Sequence, residues 1–147
     1  MATDRKAQVT WEGDLLNGKG RLETVTSGAL GGLDVSWPAR SEEPGGLTSP
    51  EELIAAAHAT CFSMALANGL AQAGHAPTKL ETDAQVKLDN AGGGFSITAI
   101  HLTVRGEVDG LDEAGFNQAA EEAKQNCPVS KALAAVPEIT LDASLAS

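Results

Sequence analysis

TSPEELIAAAHATCFSMALANGL, from Thr48 to Leu70, decides how the rest of the chain is read. Ser49 is a natural N-cap, Pro50 fits the first helical position, and Glu52 stands where a capping-box carboxylate belongs. The run that follows is apolar on every face. The spacing therefore predicts a helix from about Ser49 to Ala73, closed by Gly74 and buried all round. A chain of 147 residues rarely hides one helix completely by itself. A symmetric partner helix would do so, which points to a dimer. In the middle of this helix stands Cys61, and the other of the chain's 2 cysteines, Cys127, lies in QNCPVSKAL.

On the N-terminal side, Val9 and Trp11 alternate in a strand-like segment and Asn17-Gly18 signals a turn. GRLETVTS reads as a second strand, and SGALGGL as a glycine-rich connection. Leu33, Val35 and Trp37 alternate up to Pro38, which ends that strand. ARSEEPGGL reads as loop and carries Arg40. On the C-terminal side, Leu80, Thr82, Ala84, Val86 and Leu88 face one way with charged residues opposite. NAGGG then closes a hairpin to FSITAIHLTVRGEV. The apolar register changes there, from Phe95 and Ile97 to Ile100, Leu102 and Val104, so a bulge is expected near Ala99. A helix from about Asp112 puts Phe116, Ala119, Ala120, Ala123 and Cys127 on one stripe. Pro128 restarts a short helix, and ITLDASL reads as a last strand with Ile139, Leu141 and Leu145 inward. No repeat or linker interrupts the chain. The reading is one α+β domain over residues 1–147, with helices packed on largely antiparallel sheet.

Composition narrows the function. The formal net charge of −10 and an isoelectric point near 4.6 argue against nucleic-acid binding, which needs a basic patch. The longest apolar run, Leu53 to Ala67, falls short of the roughly 18–20 residues of a membrane span, so no membrane insertion is expected. MATDRKAQVTWEGD has no apolar segment ahead of a cleavage site, and a cytoplasmic address is expected. In a reducing compartment two cysteines are more often free thiols, ligands or redox catalysts than a structural bridge.

The residues leave several chemistries open. Cys61 on a packed helix reads equally as core thiol or as reactive group. Cys127, just before Pro128, reads as an N-cap, where free backbone N–H groups stabilise a thiolate, so spacing picks it as the more acidic thiol. A desolvated Cys61 is inert unless a cation comes to it, and Arg40 or His58, one turn earlier on its helix, are the candidates. His58, Cys61 and Cys127 would make a metal site lacking a fourth ligand, a weak signal. No CxxC motif is present. His75 and His101 read as surface or strand residues, and Glu42, Glu43, Glu121 and Glu122 as solvated charge. Glu51 reads as a first-turn acid complementing the helix dipole.

Taken together, WEGDLLNGKG, the loop ending in Arg40, TSPEELIAAAHATCFSMAL, NCPVSKAL and EITLDASL resemble the OsmC/Ohr family, the osmotically inducible protein C and organic hydroperoxide resistance proteins. The likeness runs nearly end to end, and WEGD with GKG, and AAHA before the cysteine, look more like the OsmC branch. Thr48-Ser49-Pro50 stands where Asn-Pro is commoner in the family. The resemblance implies an intertwined homodimer with two central buried helices. It implies a thiol peroxidase that reduces organic hydroperoxides, and hydrogen peroxide less well, in oxidative and osmotic stress. Cys61 would be the peroxidatic cysteine, Cys127 the resolving one, Arg40 the activator of Cys61, and Glu51 the carboxylate that orients Arg40. It also implies a dithiol reductant, with lipoylated proteins among the candidates, and no metal or prosthetic group. A rival reading keeps the fold as a ligand-binding or sequestering module without turnover. Glu51 precedes Cys61 by ten helical residues, a rise of roughly 15 Å, so it would act through Arg40 or across a dimer.

Overall fold

The computed structural model describes residues 1–146 and divides the chain into two compact units that meet in sequence at Leu53 and Ile54. In the first unit, β1 (Ala7–Glu12), β2 (Lys19–Val25) and β3 (Gly31–Val35) form an antiparallel sheet in the order β1-β2-β3. The β1–β2 turn is tied by the Asp14 carboxylate, which accepts from Asn17 N at 2.7 Å. Gly20 is required by close approach. A Cβ there would lie 2.5 Å from the Trp11 ring.

The strand expected to run to Trp37 stops at Val35. Ser36 instead caps a short helix, α1 (Trp37–Ser41), its hydroxyl accepting from Ala39 N at 3.2 Å. Pro38 ends the strand by opening this helix, since its fixed φ suits a first turn. Arg40 therefore sits on a helix, and the expected loop begins only after Ser41.

α2 (Pro50–Gln72) starts as its caps require: Ser49 Oγ accepts from Glu52 N at 3.2 Å. The Glu52 carboxylate answers to the neighbouring Thr48 hydroxyl at 3.0 Å. At the far end Gly74, at φ +87°, lets His75 N reach Leu70 O at 2.8 Å, closing the helix in a Schellman turn. The helix is not buried all round within one chain. His58, Phe62, Leu66 and Leu70 are buried, while Ala56, Ala57, Thr60 and Met64 on other faces are exposed.

In the second unit β4 (Lys79–Asn90) pairs antiparallel with β5 (Phe95–Glu107), inward positions Leu80 to Leu88 alternating as expected. The register slips where Lys87 faces Ala99 and Leu88 faces Ile97, leaving Thr98 as the extra residue of the expected bulge. α3 (Glu113–Asn126) begins at Asp112, whose carboxylate accepts from Gly115 N at 2.8 Å, and buries Phe116, Ala120 and Ala123. α4 (Pro128–Ala132) follows, then β6 (Glu138–Leu145). β6 runs parallel to β5, a correction to the expected antiparallel arrangement. Two helices intervene between these strands, and such a crossover returns the chain in the same direction.

The core lies in this unit: Phe62, Leu66 and Leu70 of α2 meet Leu102 and Val104 of β5 and Phe116 of α3. Gly106 permits that closeness, since a Cβ there would lie 2.6 Å from the Phe116 ring. By length and composition α2 could cross a membrane, longer than the apolar run alone suggested. One face of it, through Phe62, Leu66 and Leu70, forms the centre of the second unit's core.

Candidate active site

The four candidate residues occur as two pairs, one in each unit. In the first, Arg40 and Glu51 form a forked ion pair. Nε donates to Oε1 at 3.0 Å and Nη2 donates to Oε2 at 2.9 Å. Two parallel charge-assisted bonds fix the plane of the guanidinium as well as its position. Glu51 is buried and Arg40 partly so, and the hydrogen bonds to Glu51 hold the arginine pKa above its ordinary value. The Trp37 ring lies 5.9 Å from Arg40 Cζ, adding a cation–π contact. Glu51 uses the Nε and Nη2 edge, so Nη1 is the end it does not engage.

In the second unit Cys61 of α2 and Cys127, between α3 and α4, turn their thiols toward one another as unbridged cysteines. Their environments differ. Burial pushes the Cys61 thiol up, and the neighbouring Cys127 pushes it further, against a small opposing effect of the Val129 backbone. Burial also acts against a Cys127 thiolate, but the neighbouring Cys61 thiol, the backbone and hydroxyl of Ser130 and the Val129 backbone together favour it more, so its pKa lies below the ordinary thiol value. Cys127 is thus the more acidic member, as its position before Pro128 suggested. Access runs the other way. Cys61 is part-exposed and lines a cleft of about 750 Å³, whereas Cys127 is fully buried. Met64, Ala65, Leu111 and Ala119 give the cleft an apolar wall.

His58 is not the alternative cation that its spacing suggested. It is fully buried, burial lowers its pKa below the ordinary 6.5, and Nε2 lies 2.7 Å from the Ser130 hydroxyl. Ser130, buried three residues after Cys127, is a functional candidate that the sequence reading misses, since its spacing from the cysteine does not by itself mark it. Among the described residues no group of three or more His, Cys, Asp or Glu side chains could hold a metal ion. His101 contacts Thr140 and Asp142 on the exposed face of β5 and β6, and His75 meets Asp109 O at 3.2 Å.

The sequence matches the family model described as OsmC-like protein over residues 43–142. The chain belongs to the OsmC family. It is 46% identical to Peroxiredoxin OsmC of Escherichia coli K12 over 147 residues, all of both chains. Organic hydroperoxide resistance protein OhrA of Bacillus subtilis is 31% identical, covering 82% of this chain and 95% of its own. The higher identity agrees with the OsmC branch. The crystal structure of OhrB from Bacillus subtilis superposes with a TM-score of 0.69 at 29% identity, over 96% of this chain and 98% of that one. The two three-stranded sheets and the cysteine-bearing helix are those of the OsmC fold.

Proposed function

We propose that this cysteine-based peroxidase reduces organic hydroperoxides through Cys61 and Cys127, and hydrogen peroxide less well. The observation that carries the reading is the contrast in access. A substrate can enter the apolar cleft and reach Cys61, while Cys127 lies buried behind it. An apolar wall favours a peroxide with an apolar tail over a small polar one.

The Cys61 thiolate attacks the distal peroxide oxygen, the O–O bond breaks, and the alkoxide leaves as alcohol after protonation. Burial and Cys127 oppose that thiolate, so the step needs a cation, and Arg40, aimed by Glu51, supplies it. Its guanidinium would also hydrogen-bond the peroxide as negative charge develops. Cys127 thiolate then attacks the Cys61 sulfenic acid, forming a disulfide and releasing hydroxide, before further oxidation of Cys61. A dithiol reductant, a lipoylated protein being one candidate, restores both thiols. In this reading the two units form one OsmC-like domain that works as a homodimer in the cytoplasm, in defence against oxidative stress.

Stopped-flow oxidation by cumene hydroperoxide, with a dithiol present, tests the roles. Cys61→Ser is expected to abolish turnover. Cys127→Ser is expected to give one rapid oxidation of Cys61, then no recycling and accumulation of sulfinic acid. Equal loss of the first oxidation in both variants would refute the assignment.

A further inference from the structure

His58 and Ser130 lie outside the chemistry just described, yet they are built into it. Both are buried, they come from α2 and α4, and His58 Nε2 stands 2.7 Å from Ser130 Oγ. The other ring nitrogen, Nδ1, is buried without a partner. That asymmetry fixes the proton. A buried N–H with no acceptor is rarer and costlier than a buried acceptor with no donor, so the hydrogen belongs on Nε2. Burial keeps the ring neutral, and among the described residues it is the one cause that moves His58's pKa. A neutral ring protonated at Nε2 can only donate to Ser130 Oγ. The serine hydrogen must then point elsewhere, and Cys127, the N-cap of the short helix that carries Ser130, is the side chain whose thiolate it favours.

We propose that His58 is a positioning residue for the resolving cysteine, acting through Ser130, whose hydroxyl hydrogen it turns onto the Cys127 sulfur. The inference rests on the two-cysteine reading and names what tunes its second step. There Cys127 sulfur attacks the sulfenic sulfur of Cys61, the S–S bond forms, the S–O bond breaks, and hydroxide leaves to take a proton from water. The Cys61 sulfur is reduced as the Cys127 sulfur is oxidised, so no further redox partner is needed. A hydroxyl aimed at Cys127 favours its thiolate despite full burial. Without His58 the hydroxyl is free to turn away. The relay runs entirely through neighbouring groups of one unit: His58, Ser130, Cys127, Cys61.

The test reads the Cys127 thiolate directly. In a Cys61→Ser background its ultraviolet thiolate absorbance is followed against pH. Separately, the rate of disulfide formation is measured with both cysteines present. His58→Leu removes the donor and is expected to raise the titration midpoint and slow disulfide formation about tenfold at neutral pH, the worth of a hydrogen bond to a charged group. His58→Gln places an amide N–H near the position of Nε2 and is expected to restore the midpoint, which a packing role would not require. Ser130→Ala is expected to match His58→Leu, and it serves alone if the leucine variant does not fold. A parent midpoint in His58→Leu or Ser130→Ala overturns the proposal, as does a glutamine variant shifted as far as the leucine one. Failure of the underlying reading looks different: Cys127→Ser would then lose the first oxidation, whatever His58 does.

Discussion

In the C-terminal unit Phe62, Leu66, Leu102, Val104 and Phe116 are each fully buried. In the N-terminal unit every residue of β1 is exposed, and among the described residues only Leu22 and Ala39 are buried apolar side chains. Val9, Trp11, Leu15, Leu16 and Leu30 stand open to solvent there. The first region has a core; the second has a sheet without one. Each nevertheless holds a polar pair tightly, the cysteines in one and Arg40–Glu51 in the other. An exposed apolar surface of this kind is where a soluble protein meets another protein. The outward face of α2, with Ala57 and Met64 exposed, asks for the same cover. The proposed homodimer would supply both, and would explain why a helix apolar on every face is half-exposed in one chain.

The largest expected effect tests whether the unit without a core is needed for chemistry in the other. Arg40→Met is expected to raise the pKa of Cys61, because desolvation then acts unopposed, and to slow its oxidation by about 10²–10³-fold. Glu51 would be left buried and unpaired, so Arg40→Met/Glu51→Gln serves as the stability control. Glu51→Gln alone should be milder, keeping the charge and losing only its aim. The measurement is the pH dependence of Cys61 alkylation and of its oxidation by cumene hydroperoxide. Wild-type values in Arg40→Met would remove Arg40 from the mechanism and leave the two regions functionally separate.

A smaller effect asks whether the N-terminal sheet stays uncovered. Leu66→Ala is expected to destabilise by about 2–5 kcal/mol, the usual cost of a cavity in a packed core. Trp11→Ala should cost little in an isolated chain, but more in a dimer, with a denaturation midpoint that rises with protein concentration. A concentration-independent midpoint, together with a monomer by light scattering, would break the dimer reading and leave the sheet as open surface.

How much of this was legible in the sequence follows the same division. The C-terminal elements announced themselves because each buries a regular stripe: Leu80 to Leu88 at period two, Phe116 to Ala123 at helical spacing, and the register change at Thr98. The direction of β6 was not read, because strand alternation carries no sign of direction; the two helices before it are the signal for a parallel return. In the N-terminal unit β1 is exposed throughout and only β2 and β3 show a short alternation in burial, while Trp37 reads as part of β3 because Leu33, Val35 and Trp37 alternate in sequence. Ser36 and Pro38, a cap and a first-turn proline, were the opposing signal. Of the site, the cysteines could be found from motif and spacing. Ser130 could not be separated from an ordinary short-helix serine without knowing that His58 turns inward to meet it.

The smallest effect sharpens the comparison through pH. The Arg40–Glu51 pair raises an arginine pKa that is already far above the working range, so that cation brings no protonation change near neutrality. His58 does, because the folded C-terminal unit holds its pKa below the ordinary 6.5. Below that value the unfolded chain binds a proton that the folded chain refuses. Stability from this group is therefore fully present above the unfolded pKa and is lost as pH falls toward the folded one. The slope can reach at most about 1.4 kcal/mol per pH unit for one proton. His58→Gln removes the titrating group while keeping an N–H for Ser130, so its stability should fall less on acidification. The measurement is urea denaturation of both proteins at about pH 7.5 and about pH 5.5, taking the difference of differences so that shared carboxylate effects cancel. A parallel loss in both would show that His58 accepts its proton in the folded state. The ring would then be charged beside the cysteines, and the fixed tautomer on which the Ser130 hydrogen bond depends would not exist.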